Sequence, residues 1–184
     1  MAVLTRFRVP ADSRRMFATA AWIAALSLVA TVAFASSTDS LSDEELTYAA
    51  GTIVEGIVTD AQSQWNSGHN QIHTTISISV SNLLKGTMPP GGVLVFEQLG
   101  GQVGDIAMDV TGLATFAVGE DVIVFVRNGS APLTPLVGWG QGKVTITVDA
   151  ITGVRMVQER GIPRDEFVRT ISSIVARQEG GDRR

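Results

Sequence analysis

The chain has 184 residues, 45% of them hydrophobic, a formal net charge of −4 and no cysteine. That length fits one domain with a terminal extension. The missing cysteines exclude disulfides, thiolate zinc sites, cysteine nucleophiles and an acylated lipoprotein cysteine. The first 35 residues hold Arg6, Arg8, Arg14 and Arg15 against Asp12 alone. Of 14 basic and 18 acidic residues, 10 and 17 therefore remain in the other 149, a net charge near −7. A domain so acidic repels phosphate backbones, which argues against nucleic acid as a partner.

Residues 1–35 read as a signal peptide. A basic stretch is followed by an uncharged apolar run from Met16 to Phe34, and Ala33-Phe34-Ala35 supplies a small-x-small cleavage site with Ser36 as the first mature residue. Ser13-Arg14-Arg15-Met16-Phe17 resembles the twin-arginine export motif, although the residues that usually follow are not matched. The alternative is a retained anchor, since about 19 apolar residues just span a bilayer. Either way the expected location is exported, periplasmic or extracellular, with membrane contact only through this segment if it is not cleaved. The lack of disulfides favours a bacterial envelope over animal secretion.

Residues 36–50 read as a polar linker and a short helix. Ser42-Asp43-Glu44-Glu45 has the form of a capping box, predicting a helix from Asp43 to about Ala49. Residues 51–158 read as the β domain. Thr52–Thr59 is a strand, Asp60–Asn70 a polar loop, and Ile72–Leu84 a half-buried strand in which Ile72, Thr74, Ile76, Ile78 and Val80 alternate with polar residues. Val93–Glu97 is a third strand, and residues 100–105 (GGQVGD) a glycine-rich loop. Further strands are expected at Met108–Thr111, Val122–Val126, Leu133–Val137, Lys143–Val148 and Val154–Val157, with Asn128-Gly129 a tight turn and Asp149–Gly153 a hairpin loop. Residues 159–177 read as a closing helix opened by Pro163, with Phe167, Ile171, Ile174 and Val175 on one face; residues 178–184 read as a fraying polar tail. Strands without intervening helices argue for an antiparallel sheet, closed as a barrel or stacked as a sandwich.

No catalytic, cofactor or metal motif stands out. His69 and His73 would lie about 13 Å apart on a strand, too far for one ion, and read as exposed loop histidines. The GGQVGD loop lacks the Gly-Lys-Ser/Thr of a phosphate cradle. Asp105, Asp109, Glu120 and Asp121 read as solvated loop acids, or as the dispersed site of a hydrolase if two of them share a cleft. Trp139, set among Gly138, Gly140 and Gly142, is either a structural cover or a stacking surface for a sugar or peptide. Trp65, His69, His73 and Trp139 are therefore the candidate ligand contacts, with no cofactor expected.

The runs AAGTIVEGIVT, Trp65 followed by Ile72-His73-Thr74, ISVSNLLKG, VLVFEQLGGQVG, FAVGEDVIVFV and VGWGQGKVTI carry a resemblance. They look like bacterial exported domains of unknown function. They are also similar to the oligonucleotide-binding-type barrel of the tissue inhibitor of metalloproteinases and netrin-like group. The likeness spans Ala49 to Gly153 and its motifs are strand and turn markers. It implies a mainly β fold: a small antiparallel OB-like barrel with a short N-terminal helix and a C-terminal amphipathic helix, preceded by the signal peptide. In the inhibitors an N-terminal cysteine chelates the target's zinc; with no cysteine here, no inhibitory residue carries over. The expected function is a non-catalytic exported domain binding a protein or glycan. A hydrolase with a dispersed carboxylate site and a metalloprotease-inhibitor-like or protease-associated module are the alternatives.

Overall fold

A computed structural model describes residues 40–128 and 133–181. The signal segment, its cleavage residues Ala33, Ala35 and Ser36, and the 129 end of the expected Asn128-Gly129 turn lie outside the described residues. The described chain runs α1 (Asp43–Ala49), β1 (Ala50–Trp65), β2 (Ile72–Lys85), β3 (Val93–Leu99), β4 (Gly101–Val103), β5 (Ile106–Met108), β6 (Asp121–Arg127), β7 (Lys143–Val148), β8 (Arg155–Val157), β9 (Ile162–Pro163) and α2 (Arg164–Gly181). The fold is mainly β. Seven strands form one antiparallel sheet in the order β3-β2-β1-β6-β7-β8-β9, and β4 pairs with β5 in a separate ribbon.

The capping box forms as its spacing dictates. Ser42 Oγ accepts the Glu45 amide at 3.2 Å, and the Glu45 carboxylate accepts the Ser42 amide at 2.8 Å. Two of the helix's orphan amide donors are thereby satisfied, and these bonds hold the Glu45 carboxyl below its ordinary range.

β1 is longer than its apolar run. The polar stretch expected to be a loop, Asp60 to Trp65, continues the strand because β2 pairs with it from Asp60↔Ser77 to Trp65↔Ile72. Register shifts at Ile53/Val54, Glu55/Gly56 and Val58/Asp60 break the ladder with β2; each such bulge bends and further twists a strand. The curl brings the end of β3 to the far side of the sheet, where the Leu99 amide bonds the Leu133 carbonyl at 3.1 Å. No strand ladder forms there. β3 and β9 remain the two edges of an open sheet, so the expected barrel is not closed. Leu133–Val137 contributes only the bridge Val126↔Leu136; Pro135 has no amide hydrogen and can offer only its carbonyl, which accepts from Arg127.

Both faces of the sheet are buried. On β6, Ile123 and Phe125 enter one cluster with Leu46, Phe167, Ile171 and Ile174, while Val122 and Val124 enter a second with Val54, Ile76 and Ile78. A continuous apolar strand is what burial on two faces requires. Helix α2 covers the first face with its stripe Phe167, Ile171, Ile174 and Val175. It begins after Pro163, which belongs to β9, and runs to Gly181, past the tail expected from residue 178. Lys85 anchors that last turn, its Nζ donating to Thr47 O at 2.6 Å and Gln178 Oε1 at 2.8 Å. The second face has no helix. Irregular residues 109–120 cross it, with Phe116 edge-on to Phe96 at 5.6 Å and Ala114 buried.

Candidate functional site

The second face holds a cleft of about 280 Å³. Its floor is Ala61 and Ser63 of β1, Thr74 and Ile76 of β2, and Gln98 of β3; its wall is formed by residues 109–111 and 113–116. The β4–β5 ribbon closes one end and is wired to the floor by hydroxyls. Thr74 Oγ1 lies 2.6 Å from the Gly100 carbonyl, which only accepts, so Thr74 donates there. Ser63 Oγ, 2.9 Å away, then donates to Thr74 Oγ1 and accepts the Gln102 amide at 3.3 Å. Gly101 sits on this wire at φ 129, and a Cβ there would lie 2.2 Å from Thr74 Oγ1 and 2.3 Å from Ser63 Oγ. Only glycine permits that approach.

Gln98 is the buried polar group of the floor, 7% exposed. Its Nε2 donates to the Ala114 carbonyl at 2.7 Å, which fixes the amide's orientation. Its Oε1 therefore remains as an acceptor with no hydrogen bond from the described residues. Asp109, exposed, is the one charged residue among the lining. Lys143, beside the wall with its Nζ 4.9 Å from the Phe116 ring centre, is engaged by Glu120 at 2.7 Å and Thr115 O at 2.6 Å.

The four candidate contacts are not gathered in one place. Trp65 and His69 stack at 6.1 Å in the turn between β1 and β2. His73 is not a loop residue: it stands half-buried on β2, its Nδ1 3.4 Å from Glu97 Oε1 and its Nε2 buried without a partner. Trp139 occupies a 3₁₀ turn, Trp139–Gly142, 47% exposed at φ 60. A left-handed conformation costs an L-residue roughly 1–2 kcal/mol. The turn is tied to the cleft wall by the Gly140 amide, 2.6 Å from Gly112 O.

The four candidate acids also disperse. Glu120 pairs with Lys143 and Asp121 with Arg155, while Asp105 is exposed at the β4–β5 turn and Asp109 lies at the cleft. Among the described residues no group of three His, Asp or Glu is placed to hold a metal ion.

A further constellation lies on the helix side. Glu55, 1% exposed, accepts Arg155 Nη2 at 2.8 Å and Arg164 Nε at 2.9 Å, and Arg164 Nη2 closes a second bond to Glu55 Oε2. Burial alone would raise the Glu55 pKa, but the two guanidinium groups outweigh it and hold the carboxyl below its ordinary range. The same pairing holds the Arg164 guanidinium above its ordinary value. An ionised carboxylate so engaged has no proton to exchange, so it acts as a clamp joining β1, β8 and the start of α2. The signal for it was a glutamate inside an apolar strand, TIVEGIVT; for Gln98 nothing local marked it.

Neither protein-family models, nor characterised proteins, nor solved structures return a match to this chain.

Proposed function

We propose that the chain is an exported, non-catalytic binding domain that takes a protein or glycan ligand outside the cytoplasm, at the cleft on its loop-covered face. The observation that carries the binding half is the cleft itself, with the unengaged Gln98 Oε1 in its floor and the exposed Trp139 on a turn fastened to its wall. That oxygen faces the cleft as an acceptor, open to a donor from a ligand. Export rests on the basic, apolar and small-x-small order of residues 1–35. Kinship with the OB-type barrel of the netrin-like group rests on the sequence runs from Ala49 to Gly153 alone. The acidic charge speaks against nucleic acid despite that fold's usual partners.

Intact mass and N-terminal sequence of protein recovered from its host test the export half. A chain beginning at Ser36 in the envelope or medium supports it, and a full-length chain in the cytoplasm refutes it. Glycan arrays and affinity capture from envelope extract test the binding half. A ligand whose capture is lost on Trp139→Ala or Asp109→Lys supports the cleft; no ligand in either format overturns the reading.

A further inference from the structure

We infer that the cleft is a receptor for a cationic side chain, lysine or arginine, presented by a peptide of a basic partner protein. This rests on the binding reading above and narrows it to one ligand chemistry. Three features of the lining point the same way.

The first is charge. Asp109 is the only charged residue of the lining among the described residues, it is exposed, and Lys143, beside the wall, is already held by Glu120. The second is the balance of polar groups. The Gly100 and Ala114 carbonyls are satisfied by Thr74 and Gln98, which leaves Gln98 Oε1 as the open acceptor of the floor, with the Thr111 and Thr115 hydroxyls, able to donate or accept, on the wall. An open acceptor calls for a donor, and lysine and arginine carry three and five donors with no acceptor. The third is the apolar remainder. Ile76, Leu99, Val110, Leu113 and Phe116 offer contact to an aliphatic stem. Long cationic side chains bury their methylenes in this way while the head group meets polar atoms.

Size and net charge agree. The volume, about 280 Å³, lies just below the ~300–1,000 Å³ range of ligand pockets. That suits one side chain better than an extended ligand. The charge near −7 of the chain beyond residue 35 steers basic partners toward it. A backbone amide or a sugar hydroxyl would also satisfy Gln98 Oε1 and donate to Asp109, but neither would match its charge.

The test is amide-resolved NMR titration of the protein with Nα-acetyl-lysine methylamide and Nα-acetyl-arginine methylamide, set against the neutral Nα-acetyl-norleucine methylamide and a neutral chito-oligosaccharide. The expected result is shifts in residues 61–63, 74–76, 98–101 and 109–116 with the two cations, weakening as salt screens the exposed Asp109. Asp109→Asn should weaken binding about threefold, as for an exposed pair, and Asp109→Lys should abolish it. Gln98→Met, whose fold is checked by its unchanged signals elsewhere, should weaken both cations while leaving the norleucine response unaltered. Equal response to norleucine, or cation binding that survives Asp109→Lys, overturns the inference. Cleft shifts with the oligosaccharide alone overturn it too, but leave the binding reading standing. No cleft response to any probe, with envelope capture also empty, sinks both.

Discussion

The two faces of this sheet are covered by different means. One lies under α2, where Phe167, Ile171 and Ile174 meet Ile123 and Phe125 in a dry contact of side chains at 5% exposure or less. The other lies under residues 109–120, which have no regular structure and leave a cleft between themselves and the strands. A helix satisfies its own backbone, so it can seal a face completely. An irregular segment must borrow partners, as Gln98 lends to Ala114 and Lys143 to Thr115, and it leaves gaps where partners run out. The sealed face supplies stability, and the gapped face holds the cleft to which binding is proposed.

The largest expected effect falls on the sealed face. Phe167→Ala removes a fully buried ring and should cost about 4 kcal/mol in chemical denaturation. Next is Glu55→Gln, which takes the shared buried carboxylate from Arg164 and Arg155 but leaves them Asp165 and Asp121, and should cost about 2–3 kcal/mol. The same clamp sets a pH dependence. Because the folded-state pKa of Glu55 is depressed, its contribution is complete above the unfolded glutamate value of about 4.3 and is lost as pH falls through the folded value. Wild-type stability should therefore drop on acidification, and Glu55→Gln should flatten part of that drop. On the gapped face Phe116→Ala, a partly buried ring, should cost only about 2 kcal/mol. A loss equal to that of Phe167→Ala would erase the contrast. Ser42→Ala should cost about 1 kcal/mol by breaking the capping box. Smallest is Trp139→Ala, within about 0.5 kcal/mol for an exposed side chain, so any loss of ligand binding there reports contact and not unfolding.

The same contrast explains what was legible in the sequence. The Ser42–Glu45 box and the Phe167–Val175 stripe are local patterns, and both helices form where those patterns lie. The alternation of Ile72 to Val80 and the unbroken run Val122–Val126 likewise mark strands without outside help. Asp60–Trp65 gave no such sign, because its polar residues are strand only through pairing with β2. The GGQVGD loop hid the β4–β5 ribbon, whose position depends on the Ser63–Thr74 wire. Closure of the sheet was equally out of reach, since edge pairing depends on curvature set by the β1 bulges. The cleft is built from β1, β2, β3, the β4–β5 ribbon and a loop, spread from Ala61 to Phe116, so no spacing could announce it. Trp139 was visible as an aromatic among glycines, and its turn is fastened to the cleft wall; Trp65 and His69 pair with each other in the β1–β2 turn.

The division between a sealed and a gapped face is tested most directly by amide hydrogen exchange of the free protein, residue by residue. Amides of Ile53, Ile123 and Ile171 should exchange only through global unfolding, with a free energy equal to that from denaturation, while those of Leu113 and Ala114 should exchange through a local opening of markedly lower free energy. Exchange of residues 109–116 at the global rate would make that segment part of the rigid core and would contradict the assignment of binding to this face.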